Sequence, residues 1–160
     1  MGNEKFPQRK KLPHAVPPWV FQGARHFITV NLMRRGTGEL CRGNIPEALL
    51  ASARFYEHQS RWYLWLMLIM PDHMHFIATF DLNRGIRETM KAWKRYQATH
   101  LGIDWQPDFF EHRLRTQDAF IEKAHYIRMN PVRKGLVERS EEWPWVIDKL
   151  DHRCEVQERN

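Results

Sequence analysis

The stretch Trp62-Tyr63-Leu64-Trp65-Leu66-Met67-Leu68-Ile69-Met70-Pro71-Asp72-His73-Met74-His75-Phe76-Ile77-Ala78-Thr79-Phe80 decides the fold. From Trp62 to Met70 it is apolar almost without interruption, as suits a strand covered on both faces. Pro71-Asp72 punctuates the run, and His73 to Phe80 reads as the next strand. So short a connection makes the two strands an antiparallel hairpin. His73 and His75 then lie two apart on a strand, which puts both imidazoles on one face, where they can converge on a single metal ion. An isolated His-X-His also fits a structural or surface pair, so the reading depends on what the rest of the chain supplies.

Upstream, His26-Phe27-Ile28-Thr29-Val30-Asn31-Leu32 is β-rich and ends in a loop around Gly36 and Gly38. A helix follows. Asn44 is its N-cap, Pro46 lies in the first turn, Glu47 completes a capping box, and Leu49, Leu50, Ala53 and Tyr56 form its apolar stripe. Downstream, Leu82 to Leu101 has helical periodicity, with Ile86, Met90, Trp93 and Gln97 on one face and Arg87, Lys91, Lys94 and Arg95 on another. Asp104 to Asp108 reads as a loop and Phe109 to Arg115 as a fourth strand. Thr116 caps a helix with Phe120, Ala124 and Ile127 as its core stripe, which Pro131 stops at Asn130. The order β-α-β-β-α-β-α predicts an α+β, ferredoxin-like four-stranded antiparallel sheet with an added C-terminal helix. That helix carries Tyr126 and Asn130 at i and i+4, on one face.

The 160 residues suffice for one core. The expected organisation is a basic N-terminal arm over 1–23, a catalytic domain over 24–147 and a tail over 148–160. A formal charge of +6 favours polyanionic partners, nucleic acid first. Arg9, Lys10 and Lys11 of the arm are candidate DNA contacts. So are Arg87, Lys91, Lys94 and Arg95, interleaved with Trp93 and Tyr96, where cations can track phosphates and aromatics can take bases. The same pattern also fits a solvated helix face with its aromatics in the core. Arg113 and Arg115 alternate with Leu114 and are expected to flank the site, while Glu111-His112 is a weaker pair because neighbouring strand residues point to opposite faces. Cys41 and Cys154 have no CxxC spacing, the N-terminus has no apolar signal core, and no run approaches the ~20 residues of a membrane helix. A cytoplasmic protein, monomer or homodimer, is expected.

Two neutral imidazoles and one amide oxygen leave the charge of a divalent ion uncompensated, which is useful where an anionic substrate such as a phosphodiester completes the shell. Most helix tyrosines are packing residues, and an asparagine before proline suits a helix end. The combination weighs more than any member. Taken together, PDHMHF, WQPDFFEHRLR, HYIRMNPVRKGLV and EEWPW, in that order, resemble the REP-associated tyrosine transposases of the HUH superfamily, relatives of the single-tyrosine transposases of small insertion sequences. The likeness runs from about Arg25 to Trp145.

The resemblance implies that His73 and His75 are metal ligands, Tyr126 the nucleophile and Asn130 the third ligand. It also implies a substrate of single-stranded DNA near palindromic repeats that fold into hairpins. The implied chemistry is attack of the Tyr126 oxygen on a phosphate polarised by magnesium or manganese, giving a 5′-phosphotyrosine and a free 3′-hydroxyl. Two other readings stand beside it. One is a hairpin-DNA-binding protein or repressor with little cleavage activity, and the other is a metallophosphodiesterase with no covalent intermediate.

Overall fold

In the computed structural model, which describes residues 17–150, the hairpin forms as expected. Its first strand is Trp62–Ile69 and its second His73–Phe80. In chain order the strands are β1 (Arg25–Asn31), β2 (Trp62–Ile69), β3 (His73–Phe80), β4 (Phe110–Leu114) and β5 (Val146–Asp148). The helices are α1 (Pro18–Gln22), α2 (Ile45–His58), α3 (Gly85–Leu101) and α4 (Gln117–Arg133). All neighbouring strands are antiparallel, in the order β4-β1-β3-β2-β5. The sheet thus has five strands where four were expected. β5 is only three residues long, too short to show a period of two, and it pairs along the open edge of β2.

The apolar character of β2 and β3 follows from their cover. α2 and α3 lie on one face, where Leu49, Ala53, Met90 and Trp93 pack with Ile28, Trp62 and Phe76. α4 lies on the other, where Phe120, Ala124 and Ile127 pack with Phe27, Leu66, Ile77 and Leu114. Each fully buried Leu, Ile, Met or Phe of these two clusters contributes about 1.5–3 kcal/mol relative to exposure. No helix among the described residues is long and apolar enough to cross a membrane.

Three local expectations need correction. Asn44 is the N-cap of α2, but its side chain makes no capping bond, because φ −93° and ψ 5° are not the extended geometry that presents a cap side chain. Thr116, extended at φ −122° and ψ 158°, does cap α4, accepting from the Ala119 N–H at 3.0 Å. Pro131 does not stop α4, which runs on to Arg133. Proline removes the donor for the carbonyl four residues back, but the helix here has only a short way left, and the Leu136 N–H returns to the Pro131 carbonyl at 2.9 Å. The segment read as an arm ends in α1, whose Val20 is buried. Arg9, Lys10, Lys11 and Cys154 lie outside the described residues.

α4 is fastened to β5 by an ion pair between buried Arg128 and the more exposed Asp148. Arg128 Nε and Nη2 donate to Asp148 Oδ2 and Oδ1 at 2.6 and 2.8 Å. Asp148 stands at the solvent side of the pair, so water can partly take over the carboxylate once the guanidinium is gone. Arg128→Ala should therefore cost about 1.5–3 kcal/mol of folding stability, the range for loss of hydrogen bonds to a charged group, read from urea unfolding with the m-value unchanged.

Candidate active site

The pairing of β1 with β3 builds the site. Thr29 stands opposite His75 and Asn31 opposite His73, so all four side chains share the α4 face of the sheet. The two imidazoles are buried, with ring centroids 4.7 Å apart. His73 Nδ1 lies 2.8 Å from Asp72 Oδ1, and His75 Nδ1 lies 2.8 Å from Thr29 Oγ1. Because the carboxylate can only accept, His73 carries its proton on Nδ1 and keeps a lone pair on Nε2. A carboxylate or hydroxyl behind each ring is the support that metal-binding histidines use to fix ring orientation.

Tyr126 projects from α4 onto this pair. Its ring lies 5.7 Å from that of His75 and 6.3 Å from that of Phe27, and at 41% exposure it is open to an incoming group. The Arg133 guanidinium stands 4.3 Å over the ring and donates to the Tyr126 carbonyl at 2.6 Å. Lys123 Nζ is 5.0 Å from the same ring and 4.5 Å from that of Phe27. Asn130 is buried on α4 four residues beyond Tyr126, about 6 Å along the helix axis. Among the described residues no cluster of three His, Cys, Asp or Glu side chains exists. A cation here would therefore take its third protein donor from an amide or hydroxyl, and the donor set of two imidazoles and Asn130 fits that requirement.

The electrostatics favour neutral histidines. Burial, then His73, Lys123, Arg133 and Arg35, push the His75 pKa down to about 3. Burial lowers His73 as well, against the opposing pull of Asp72. Burial would raise Asp72, but bonds from His73 and the Gly36 N–H, with Arg35 beside it, hold it below the usual carboxylate value.

The other expected contacts divide between the two faces. Arg87, Lys91 and Arg95 are exposed on α3 and line a depression of about 480 Å³ with Trp105 and Phe109, on the opposite side of the sheet from the histidines. Lys94 is not part of that free stripe. It is buried, and its ammonium donates to the carbonyls of Gln106, Pro107 and Asp108 at 2.6, 3.0 and 3.2 Å. Trp93 is fully buried and offers no face to a base. Arg113 stands opposite His26 in the register, on the α3 side, and so points away from the site it was expected to flank; Arg115 is exposed just beyond the strand. A larger cavity of about 810 Å³, lined by Trp19, Tyr63 and Lys149 among others, lies at the far end of the sheet.

No family profile matches the chain, but individual relatives do. A REP-associated tyrosine transposase of Escherichia coli K12 is 30% identical over 133 residues, which is 79% of this chain and 78% of that one. This chain belongs to the REP-associated tyrosine transposases. A relative in Haemophilus influenzae, 26% identical over 155 residues, covers 84% of this chain and 85% of its own and carries the same family name. The solved structure of a REP-associated tyrosine transposase bound to a REP hairpin matches with a TM-score of 0.69 and 26% identity, over 78% of this chain and 76% of that one.

In this tyrosine transposase homologue the structure adds to the expected site the residues that sequence reading passed over. Asp72 looked like turn punctuation, and Thr29 is linked to His75 only through strand register. Lys123 and Arg133 stand three before and seven after Tyr126, spacings that share a helix face and were legible.

The histidine environment predicts a pH effect. A base whose folded pKa lies below its unfolded value of about 6.5 binds its proton only in the unfolded chain between those values, so stability falls with pH in that window. In EDTA, the protein should lose stability on acidification from about pH 6.5 toward pH 3. His75→Gln should make that decline shallower by up to about 1.4 kcal/mol per pH unit, as followed by urea unfolding at stepped pH.

Proposed function

We propose that this chain is a metal-dependent single-stranded DNA endonuclease and strand transferase that acts beside DNA hairpins through a 5′-phosphotyrosine. The proposed frame is a ferredoxin-like unit, β1 to β4 with α2 and α3, to which α4 and β5 are appended. The observation that carries the reading is an exposed Tyr126 held 5.7 Å from His75, ring to ring, with two cations over its own ring. A packing tyrosine has no need of such surroundings. The relative solved with a REP hairpin supports a hairpin substrate.

In the proposed reaction, Lys123 and Arg133 draw the phosphate onto the face where Tyr126 is exposed. A magnesium or manganese ion held by His73, His75 and Asn130 would supply Lewis-acid polarisation of that phosphate. The Tyr126 oxygen attacks phosphorus in line. The new bond joins the phenolic oxygen to phosphorus, the bond from phosphorus to the 3′ oxygen breaks, the phenolic proton goes to solvent, and the departing 3′ oxygen takes one up. Thr29 and Asp72 keep the imidazoles from turning during the step. Because the phosphodiester is exchanged rather than hydrolysed, a second 3′-hydroxyl can reverse the reaction onto a new end without a nucleoside triphosphate.

Tyr126→Phe removes one oxygen and keeps the ring. Wild-type protein with a flanked hairpin and manganese should give a denaturant-resistant protein–DNA adduct joined at the DNA 5′ end, and the Phe variant should give neither adduct nor nick. Nicking that persists in the variant would refute Tyr126 as nucleophile. His73→Ala should lower nicking at least 10-fold, an order expected for loss of metal support, while hairpin binding stays within about twofold, since backbone charge supplies most of that affinity. Wild-type nicking that survives EDTA would remove the metal from the scheme.

A further inference from the structure

Phe110 sits on the edge strand β4 at 56% exposure, although phenylalanine is an unusual choice for an open sheet edge. Scattered exposed apolar residues are ordinary, so its surroundings decide the matter. It stands opposite Thr29 in the register, which places it on the same face as His75. Its ring meets that of Phe27 at 6.0 Å and 66°. Phe27 is buried and in turn touches His75 at 5.5 Å and Tyr126 at 6.3 Å. The result is an aromatic row with two exposed members, Phe110 and Tyr126, and a buried one joining them. Lys123 stands over the join, 4.5 Å from the Phe27 ring.

An alternation of open aromatic, cation and open tyrosine matches the alternation of base and phosphate along a single strand. We infer that Phe110 and Lys123 form a subsite for a nucleotide flanking the scissile phosphate, with the base stacked on Phe110 and its phosphate on Lys123. This rests on the reading of Tyr126 as the place of reaction. It adds a specific cause for a preference for unpaired flanks, because a base inside a duplex cannot offer its face to a side chain. Stacking on an aromatic tolerates any base, so the subsite selects for single-strandedness and leaves sequence to other contacts.

The test uses the full chain and two DNAs, a hairpin with a single-stranded flank and the same hairpin with a blunt end. 2-Aminopurine is placed at successive flank positions. With wild-type protein its fluorescence should be quenched at one position next to the cut. Phe110→Ala should abolish that quench and weaken binding of the flanked hairpin about tenfold, within the range for loss of one stacked base, with the blunt hairpin bound within about twofold of wild type. Phe110→Trp should keep the quench, and Phe110→Leu, which fills the same space without a π-face, should lose it. Lys123→Gln should lower the slope of log affinity against log salt by about 0.7 for the flanked DNA.

Equal weakening on both DNAs, a quench retained by Phe110→Leu, or no quench at any flank position in wild type would overturn the subsite. Repeating the measurement in a Tyr126→Phe background separates this inference from the one beneath it. A quench without any wild-type adduct leaves the subsite and removes the covalent scheme. An adduct without a quench does the reverse.

Discussion

The register of β1 against β3 is the constraint on which the site depends. With Asn31 opposite His73 and Thr29 opposite His75, the Thr29 hydroxyl backs one imidazole and Phe27, two residues earlier, stacks against the same ring at 26°. A slip of one residue would send all of β1 to the opposite face and put Ile28 or Val30 where the hydroxyl is needed. The register is held by burial on both sides, since Ile28 and Val30 belong to the α2 and α3 core while Phe27 belongs to the α4 core. Packing far from the chemistry thus fixes which atom stands behind each histidine.

The same frame sets the charge of the site. Lys123, Arg133 and Arg35 lie near two buried imidazoles, and burial acts with them to keep His75 neutral. The cations that disfavour a protonated histidine also surround the exposed Tyr126 ring, so one arrangement keeps the imidazole neutral and makes the surface above it positive. Asp72 counters this at His73, and its carboxylate is itself shared with Arg35 and the Gly36 N–H. The loop after β1 is therefore tied to the hairpin that bears the histidines.

Much of this was legible in the chain because it rests on local pattern. The apolar run of β2, the Pro71-Asp72 turn and the His-X-His alternation belong to one continuous segment, and the 3.6 period carries Tyr126 and Asn130 on one helix flank. What escaped is non-local or short. β5 has three residues and exists only because β2 offers an edge and Arg128 holds Asp148. Lys94 reads as one more cation on a basic stripe, yet its ammonium is enclosed by three carbonyls of the following loop. Spacing along α3 could not reveal that the loop folds back over it. Arg113 was assigned to the wrong face because alternation tells which residues share a face but not which face.

That last distinction has consequences for how a polyanion can meet the molecule. The exposed cations of α3 and those around Tyr126 lie on opposite sides of one sheet, so a nucleic acid that touches both must pass around its rim. The rim beside the histidines is the end of β1, where the Gln106 N–H bonds to the Asn31 carbonyl at 2.9 Å and the Met33 N–H to the Asp104 carbonyl at 2.8 Å. Lys94 holds the next residues of that loop, and Trp105 stacks on Trp93 at 27°. The segment joining the two basic surfaces is therefore tied to both the sheet and α3. Lys94, which fails as a direct phosphate contact, instead holds in place the corner that sets the two surfaces relative to each other.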